Sequence, residues 1–161
     1  MPEENLLRMI QLAEEFFETK NDPTQLSVDE TIIARLQAIH PATVGERRND
    51  KGPVAWMIII PTPNDVMQRF LNGEYNERDL LDNIPVGGTY DAIYLCSALV
   101  LPEFRSKGLA KELACKSIKA IQKDHPIKTL YYWGFSIEGK KLAEVISKKV
   151  GLPLLNKDSK A

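Results

Sequence analysis

Apolar side chains recur every three or four positions through residues 3–19, and acidic or polar side chains fill the positions between them. This spacing predicts an amphipathic helix with one buried face. A second helix is predicted from Ser27 to Ile39, because Ser27-Val28-Asp29-Glu30 has the form of a capping box. Pro41 then ends the helical pattern.

The pattern changes after residue 41. Residues 42–48 and 53–60 flank a Gly-containing turn at 49–52 and predict a β-hairpin. Residues 64–82 return to helical spacing with a break at Asn72-Gly73, which predicts one or two short helices.

The second half of the chain alternates strands with helices. Residues 89–101 are long and mainly apolar, as expected for a central strand covered on both faces. The polar composition of the last six residues predicts a frayed tail. The alternation predicts an α/β fold with a mixed, twisted sheet of five or six strands flanked by helices. The remaining predicted elements are a helix to about Lys123, a strand at Ile127–Trp133, a helix at Glu138–Val150 and a short strand at Leu152–Leu155.

Length and composition indicate a single globular domain. The chain has 161 residues, of which 43% are hydrophobic and 27% charged. We therefore expect one domain over 1–161, with N-terminal helices in 1–41 and the sheet core in 42–155. No apolar run has the length of a membrane span, and the acidic start does not resemble a signal peptide. Two cysteines suit a reducing compartment, so the expected location is cytoplasmic.

The net charge of −1 conceals an asymmetry. Residues 1–100 hold 8 basic and 16 acidic side chains, whereas residues 101–161 hold 13 basic and 6 acidic ones. A basic C-terminal third suits an anionic ligand, and it equally suits lysines on solvated helix faces.

The end of the predicted central strand carries the most informative motif. Leu101-Pro102 closes the strand, and a helix begins after Gly108. Such a junction directs several amides and the positive end of the helix dipole to one point, which suits a phosphate group. Arg105 and Lys107 add positive charge. The spacing is neither that of a Walker A loop nor that of the dinucleotide-binding fingerprint.

Arg105, Gly108 and Ala110 stand at the spacing Arg/Gln-x-x-Gly-x-Gly/Ala. This segment resembles the acyl-coenzyme A motif of the GNAT superfamily of N-acetyltransferases. The resemblance covers residues 42–155 and implies a GNAT-like three-layer fold. It also implies acetyl-CoA as co-substrate and direct attack of an amine on the thioester, with a strand amide stabilising the oxyanion.

The resemblance implies where acetyl-CoA would lie. Family members hold it in a V-shaped gap where the central strand splays from the next one, here Ile127–Trp133. The backbone of Ala98, Leu99 and Val100 would pair with the pantetheine arm. The pyrophosphate would lie on the loop and the helix start that follow, formed by Arg105, Ser106, Lys107, Gly108, Leu109 and Ala110.

The chain departs from the family at the last helix. Many members have a Tyr there that protonates the departing sulfur; aligning Gly151-Leu152 on the family's Gly-Phe puts Ser147 at that position and Lys140 at a preceding Asn. An aliphatic hydroxyl is a far weaker acid than a phenol. Ser147 and Tyr94 are therefore the candidate catalytic residues. The alternatives are water or another tyrosine, Tyr131 or Tyr132.

Each candidate also has a structural interpretation. Ser147 suits a helix surface, and Tyr94 alternates with Cys96 and Ala98 along a strand, as a core residue does. No spacing of His, Cys or carboxylates predicts a metal site. Two alternatives to an acetyltransferase stay open: a non-catalytic GNAT-like domain that binds CoA or acyl-CoA as a sensor or interaction module, and an interaction subunit with an empty groove.

The acceptor would be a small-molecule or peptide amine. Segment 64–88 would either cap the acceptor site or cover the sheet. The edge left by the short last strand would allow a homodimer, and neither nucleic acid nor a membrane is an expected partner. The acidic residues of segment 64–82 suit a cationic amine or, as the favoured interpretation, a solvated helix surface; they are Asp65, Glu74, Glu77, Asp79 and Asp82.

Overall fold

A computed structural model describes residues 4–20, 30–105, 107–133 and 137–157. The chain is an α/β protein with a five-stranded mixed sheet flanked by helices, as the alternation of elements predicts. The predicted capping box begins at Ser27, outside the described residues. The elements are α1 (Glu4–Lys20), α2 (Glu30–Ile39), β1 (Val44–Asn49), β2 (Gly52–Thr62), α3 (Asn64–Leu71), α4 (Glu77–Asp82), β3 (Ala92–Val100), α5 (Leu109–Asp124), β4 (Thr129–Trp133), α6 (Ile137–Val150) and β5 (Leu154–Lys157).

The five strands lie side by side in chain order. β1, β2 and β3 are antiparallel neighbours; a tight turn joins β1 to β2, and the longer segment with α3 and α4 joins β2 to β3. β3, β4 and β5 are parallel, because α5 and α6 form the crossovers between them. The hairpin turn is held by the Asn49 side chain, which accepts a hydrogen bond from the Lys51 amide at 2.8 Å.

Helices cover both faces of the sheet. On one face Met9 of α1 packs with Leu99 and Leu101, and Phe70 of α3 lies against the rings of Tyr94 and Tyr131. On the other face α5 crosses β1, β2 and β3 with α6 beside it. β2 therefore has almost no exposed residue, which is why its sequence is a continuous apolar run.

All five strands differ from their predicted bounds, by three residues or fewer, and the differences are largest in β3 and β5. β3 begins at Ala92 rather than at residue 89; before it, the Tyr90 hydroxyl donates to the Pro85 carbonyl at 2.5 Å, while the Asp91 main chain still bonds to Thr62 and Lys128. β5 covers Leu154–Lys157 rather than Leu152–Leu155, because α6 ends in a turn in which the Leu152 amide donates to the Ser147 carbonyl. Lys157, predicted to lie in a polar tail, is consequently the end of a strand.

Candidate functional site

β3 and β4 are hydrogen-bonded over only part of their lengths. Their parallel ladder ends at the pair Leu95–Tyr132. β3 continues through Cys96–Val100, whereas β4 ends at Trp133. Among the described residues, no strand pairs with the edge of Cys96–Val100 that faces away from β2. Since such an edge presents amide and carbonyl groups, it can hold an extended ligand arm.

A β-bulge lies where the two strands separate. Ser97 pairs with Ile58 of β2 and Leu95 pairs with the next residue, Ile59, so that Cys96 has no partner across β2. An extra residue of this kind bends a strand and increases its twist. The bulge is therefore a local cause of the divergence of β3 from β4.

The main-chain groups of β3 alternate between β2 and the gap. The Leu101 amide donates to the Val54 carbonyl at 2.9 Å, which directs Leu101 towards β2. Alternation then directs Leu99 towards β2, and Ala98 and Val100 towards the gap. Of the three residues predicted to pair with a pantetheine arm, Ala98 and Val100 have the required direction. Leu99 instead continues the ladder with β2.

The chain turns from β3 into α5 through Pro102–Phe104, a short 3-10 turn. Gly108 lies at the N-cap of α5 with φ +77°, in the left-handed region that favours glycine. A Cβ atom built on Gly108 would meet only the Lys111 side chain, at 3.8 Å, so the space over the helix start is open. The first amides of α5 have no acceptor within the helix and lie at the positive end of its dipole; they include those of Leu109 and Ala110.

Arg105 lies between the strand edge and the helix start. Its Nε donates to the Val100 carbonyl at 3.0 Å, which is one of the groups directed to the gap. Its own amide donates to the Pro102 carbonyl at 3.3 Å and is thus engaged within the turn. Arg105 can therefore offer a phosphate its exposed guanidinium but not its amide. Ser106, also predicted to bind the pyrophosphate, lies outside the described residues.

Two lysines complete the positive charge around the loop. Lys107 is exposed, with its Nζ 5.9 Å from the centre of the Phe104 ring. Lys111, on the first turn of α5, extends over Gly108. Lys111 was not among the residues that the sequence predicted for this site. Its spacing of three residues from Gly108 was the signal that it reaches the same point.

A buried carboxylate lies beside the start of the gap. Glu77, at the beginning of α4, is only 5% exposed. The Tyr94 hydroxyl donates to its Oε2 at 2.5 Å, and the Cys96 Sγ lies 3.9 Å from the same oxygen. The first contact has the length of a charge-assisted O–H···O bond. Glu77, Tyr94 and Cys96 thus form a polar cluster, which we call the Glu77 cluster.

Glu77 is an exception to the interpretation of segment 64–82 as a solvated acidic surface, since Asp65, Glu74 and Asp82 are exposed as predicted. Its position on α4 is set by the capping box between Asn76 and Asp79, in which each side chain accepts from the other's amide. The buried positions of α4 are Glu77, Leu80 and Leu81. Their i, i+3, i+4 spacing puts the carboxylate on the apolar face, and that spacing is the sequence signal that was overlooked.

The neighbours of Glu77 keep their protons. Burial, and next the charge of Glu77, raise the pKa of the Tyr94 hydroxyl well above its ordinary value. The same two causes raise the pKa of the Cys96 thiol well above its ordinary value. Cys96 therefore stays a thiol near neutral pH and is poorly suited to act as a nucleophile. Tyr94 is a hydrogen-bond donor to Glu77 and a weaker acid than a free phenol.

The other hydroxyl candidates lie in different surroundings. The Ser147 hydroxyl donates to the Leu152 carbonyl at 2.6 Å at the end of α6. The Tyr131 hydroxyl, fully buried, shares a hydrogen bond of 2.8 Å with Thr62. Tyr132 pairs with Leu95 and so faces the other side of the sheet from the Glu77 cluster. Only Tyr94, of these four, touches the buried carboxylate.

The described residues contain no group of three His, Cys, Asp or Glu side chains that could hold a metal ion. Within the same ranges, every helix is too short or too polar to cross a bilayer. No family model matches the chain, and neither a curated protein nor a solved structure matches it.

Proposed function

We propose that the protein is a GNAT-type acyltransferase that moves an acetyl group from acetyl-CoA to an amine by direct attack. The observation that carries this proposal is the separation of β3 from β4 after the pair Leu95–Tyr132, with an open helix N-terminus at the end of the same strand. An extended thioester arm would suit the strand edge and a diphosphate would suit the helix start, and a single stretch of chain joins the two.

The chain's own groups suit the parts of acetyl-CoA. Ala98 and Val100 direct main-chain groups to the gap, where a pantetheine arm could pair with them. The amides at the start of α5 suit the pyrophosphate, and Arg105, Lys107 and Lys111 add positive charge beside them. Bound acetyl-CoA supplies a thioester carbonyl that an amine can attack.

Glu77 suits the other half of the reaction. An amine is protonated near neutral pH and must lose a proton before it attacks. A buried carboxylate beside the bulge attracts an ammonium group and can accept that proton, directly or through a water molecule. Much of the rate would come from holding the two reactants together in the gap.

A second function is favoured by one observation. The Ser147 hydroxyl is engaged with Leu152, and the Tyr94 hydroxyl is engaged with Glu77, so neither is directed as a free acid towards a departing sulfur. A domain that binds CoA or acyl-CoA without turnover would have this arrangement. Release of free thiol from acetyl-CoA in the presence of an amine panel separates the two functions.

Calorimetric binding of coenzyme A tests the site itself. We expect Gly108→Glu to abolish binding, because a carboxylate would project towards the phosphate position. Gly87→Glu is the matched control, because Gly87 also has a positive φ, +83°, and open space around its Cα. Equal affinity of the two variants and the wild type would contradict the placement of the pyrophosphate at the start of α5.

A further inference from the structure

The ammonium group of Lys157 lies in an aromatic pocket. Its Nζ is 4.2 Å from the centre of the Phe70 ring and 4.9 Å from that of Trp133, and it is 3.4 Å from the Tyr75 carbonyl oxygen. Two ring faces and a carbonyl oxygen are an arrangement that holds an alkylammonium group. The pocket is formed by α3, the turn before α4 and the end of β4.

This pocket lies at the end of β4, where the pairing of β4 with β3 has stopped. Trp133 is the first residue of β4 after the last pair with β3, and Lys157 is its partner on β5. The Lys157 ammonium group lies over Trp133 and reaches Phe70, whose ring also contacts Tyr94 of β3. Glu77, whose carboxylate is 3.9 Å from the Cys96 sulfur at the bulge, also acts electrostatically on Lys157. The ammonium group, the carboxylate and the bulge thus lie around one end of the gap.

Lys157 differs chemically from the exposed lysines of the helices. Partial burial lowers its pKa, and the charge of Glu77 opposes that shift only in part. Near neutral pH, the neutral amine therefore makes up a larger fraction of the Lys157 population than of an exposed lysine. The neutral amine is the form that attacks a thioester. In contrast, lysines on the solvent-facing side of α5, such as Lys123, are exposed.

We propose that Lys157 is itself an acetyl acceptor, so that the protein acetylates its own last strand. This inference rests on the function proposed above. The Nζ lone pair forms a bond to the thioester carbonyl carbon as the carbon–sulfur bond breaks. Lysine ammonium and acetyl-CoA give Nε-acetyl-lysine, the thiol of coenzyme A and one proton, which Glu77 can accept and pass to solvent.

Acetylation would also empty the pocket. The product amide carries no charge and loses its electrostatic attraction to the ring faces and to Glu77. Phe70 and Trp133 would then be open to the ammonium group of a second acceptor. Unmodified Lys157 thus competes with the second acceptor for the pocket, and acetylation by acetyl-CoA ends that competition.

The test incubates the full chain with acetyl-CoA and no added amine. We expect one equivalent of free thiol per chain, and one acetyl group that tandem mass spectrometry assigns to Lys157 rather than to Lys160. The reaction is intramolecular, so its first-order rate constant does not change with protein concentration. Lys157→Arg, which keeps the cation in the pocket but offers no primary amine, should release no equivalent. Lys123→Arg is the matched control and should behave as the wild type.

Three outcomes would overturn the inference. Acetyl groups spread over exposed lysines at the same rate as over Lys157 would indicate chemical acetylation in solution. A chain that acetylates added amines but leaves Lys157 unmodified would refute self-acetylation while the proposed function holds. Absence of coenzyme A binding by calorimetry would remove the proposed function, and self-acetylation with it.

Discussion

The Tyr94 hydroxyl donates a 2.5 Å hydrogen bond to the Glu77 carboxylate, although the two residues belong to a central strand and to a short helix that covers it. Both side chains are nearly inaccessible, at 1% and 5% exposure. A carboxylate at this depth is costly unless hydrogen bonds compensate for its lost hydration. The bond thus holds α4 on the sheet and keeps the Glu77 carboxyl group beside the gap.

Tyr94→Phe removes that bond and leaves the carboxylate buried with one donor fewer. We expect the free energy of unfolding to fall by about 1–3 kcal/mol, as for lost bonds to charged groups. Tyr131→Phe is the matched control, because it removes the same hydroxyl from a bond to the neutral Thr62 and should cost about 1 kcal/mol. Urea denaturation measures both. Equal losses would mean that the charge of Glu77 does not strengthen the bond.

Glu77→Gln separates the charge from the hydrogen bond. The amide oxygen can still accept from Tyr94, so the fold should be retained, whereas the proton acceptor is lost. We expect kcat/KM for amine acetylation to fall by about 10²- to 10⁴-fold, the range for loss of a general base. Glu74→Gln changes an exposed carboxylate in the same segment, 3.4 Å from Arg69, and should leave the rate unchanged. A rate that Glu77→Gln does not alter would assign Glu77 a purely structural role.

The sequence predicts the elements well because their signals are local. Residues that are neighbours in the chain determine where β3 ends at Pro102, where the chain turns at Gly108 and where the amphipathic helix α5 runs. β2 and α5 accordingly lie within two residues of their predicted bounds. The junction proposed to bind phosphate is also a contiguous segment, so a short motif is sufficient to locate it in the structure.

The Glu77 cluster and the aromatic pocket depend on distant parts of the chain. Lys157 meets the Tyr75 carbonyl across 82 positions, and Glu77 meets Tyr94 only because α4 folds back onto β3. Helical periodicity shows which positions share the apolar face of a helix, but an acidic residue on a short helix is usually exposed. The bulge at Cys96 likewise depends on the register with β2, which the sequence of β3 alone does not define.

The ion pair between Arg8 and Glu103 should make stability depend on pH in the acidic range. The Arg8 guanidinium donates two hydrogen bonds of 2.6 Å to Glu103 and lowers the pKa of that carboxyl from 4.5 to about 2. A lowered pKa in the folded state means that the contribution is present above pH 4.5 and is lost as the pH falls towards 2. The difference in Tm between the wild type and Arg8→Gln should therefore shrink over that interval.

Two controls accompany this measurement. Arg69→Gln removes one exposed guanidinium from a longer contact, 3.4 Å from Glu74, and accounts for the general loss of surface charge. Added salt should reduce the effect, because Arg8 and Glu103 are both exposed to solvent. A difference in Tm that stays constant from about pH 5 to pH 2 would show that Arg8 stabilises the protein without its charge.

Ser147 can be tested as an acid and as a helix-end residue in one experiment. Its carbonyl accepts from the Gly151 and Leu152 amides, and its hydroxyl donates to the Leu152 carbonyl, so it closes the end of α6. We expect Ser147→Ala to lower the free energy of unfolding by about 1 kcal/mol and to leave the rate of thiol release near that of the wild type. Ser117→Ala, which removes a buried hydroxyl from α5, is the control for stability. A large fall in kcat with stability unchanged would instead identify Ser147 as the group that protonates the departing sulfur, as its place in the sequence motif predicts.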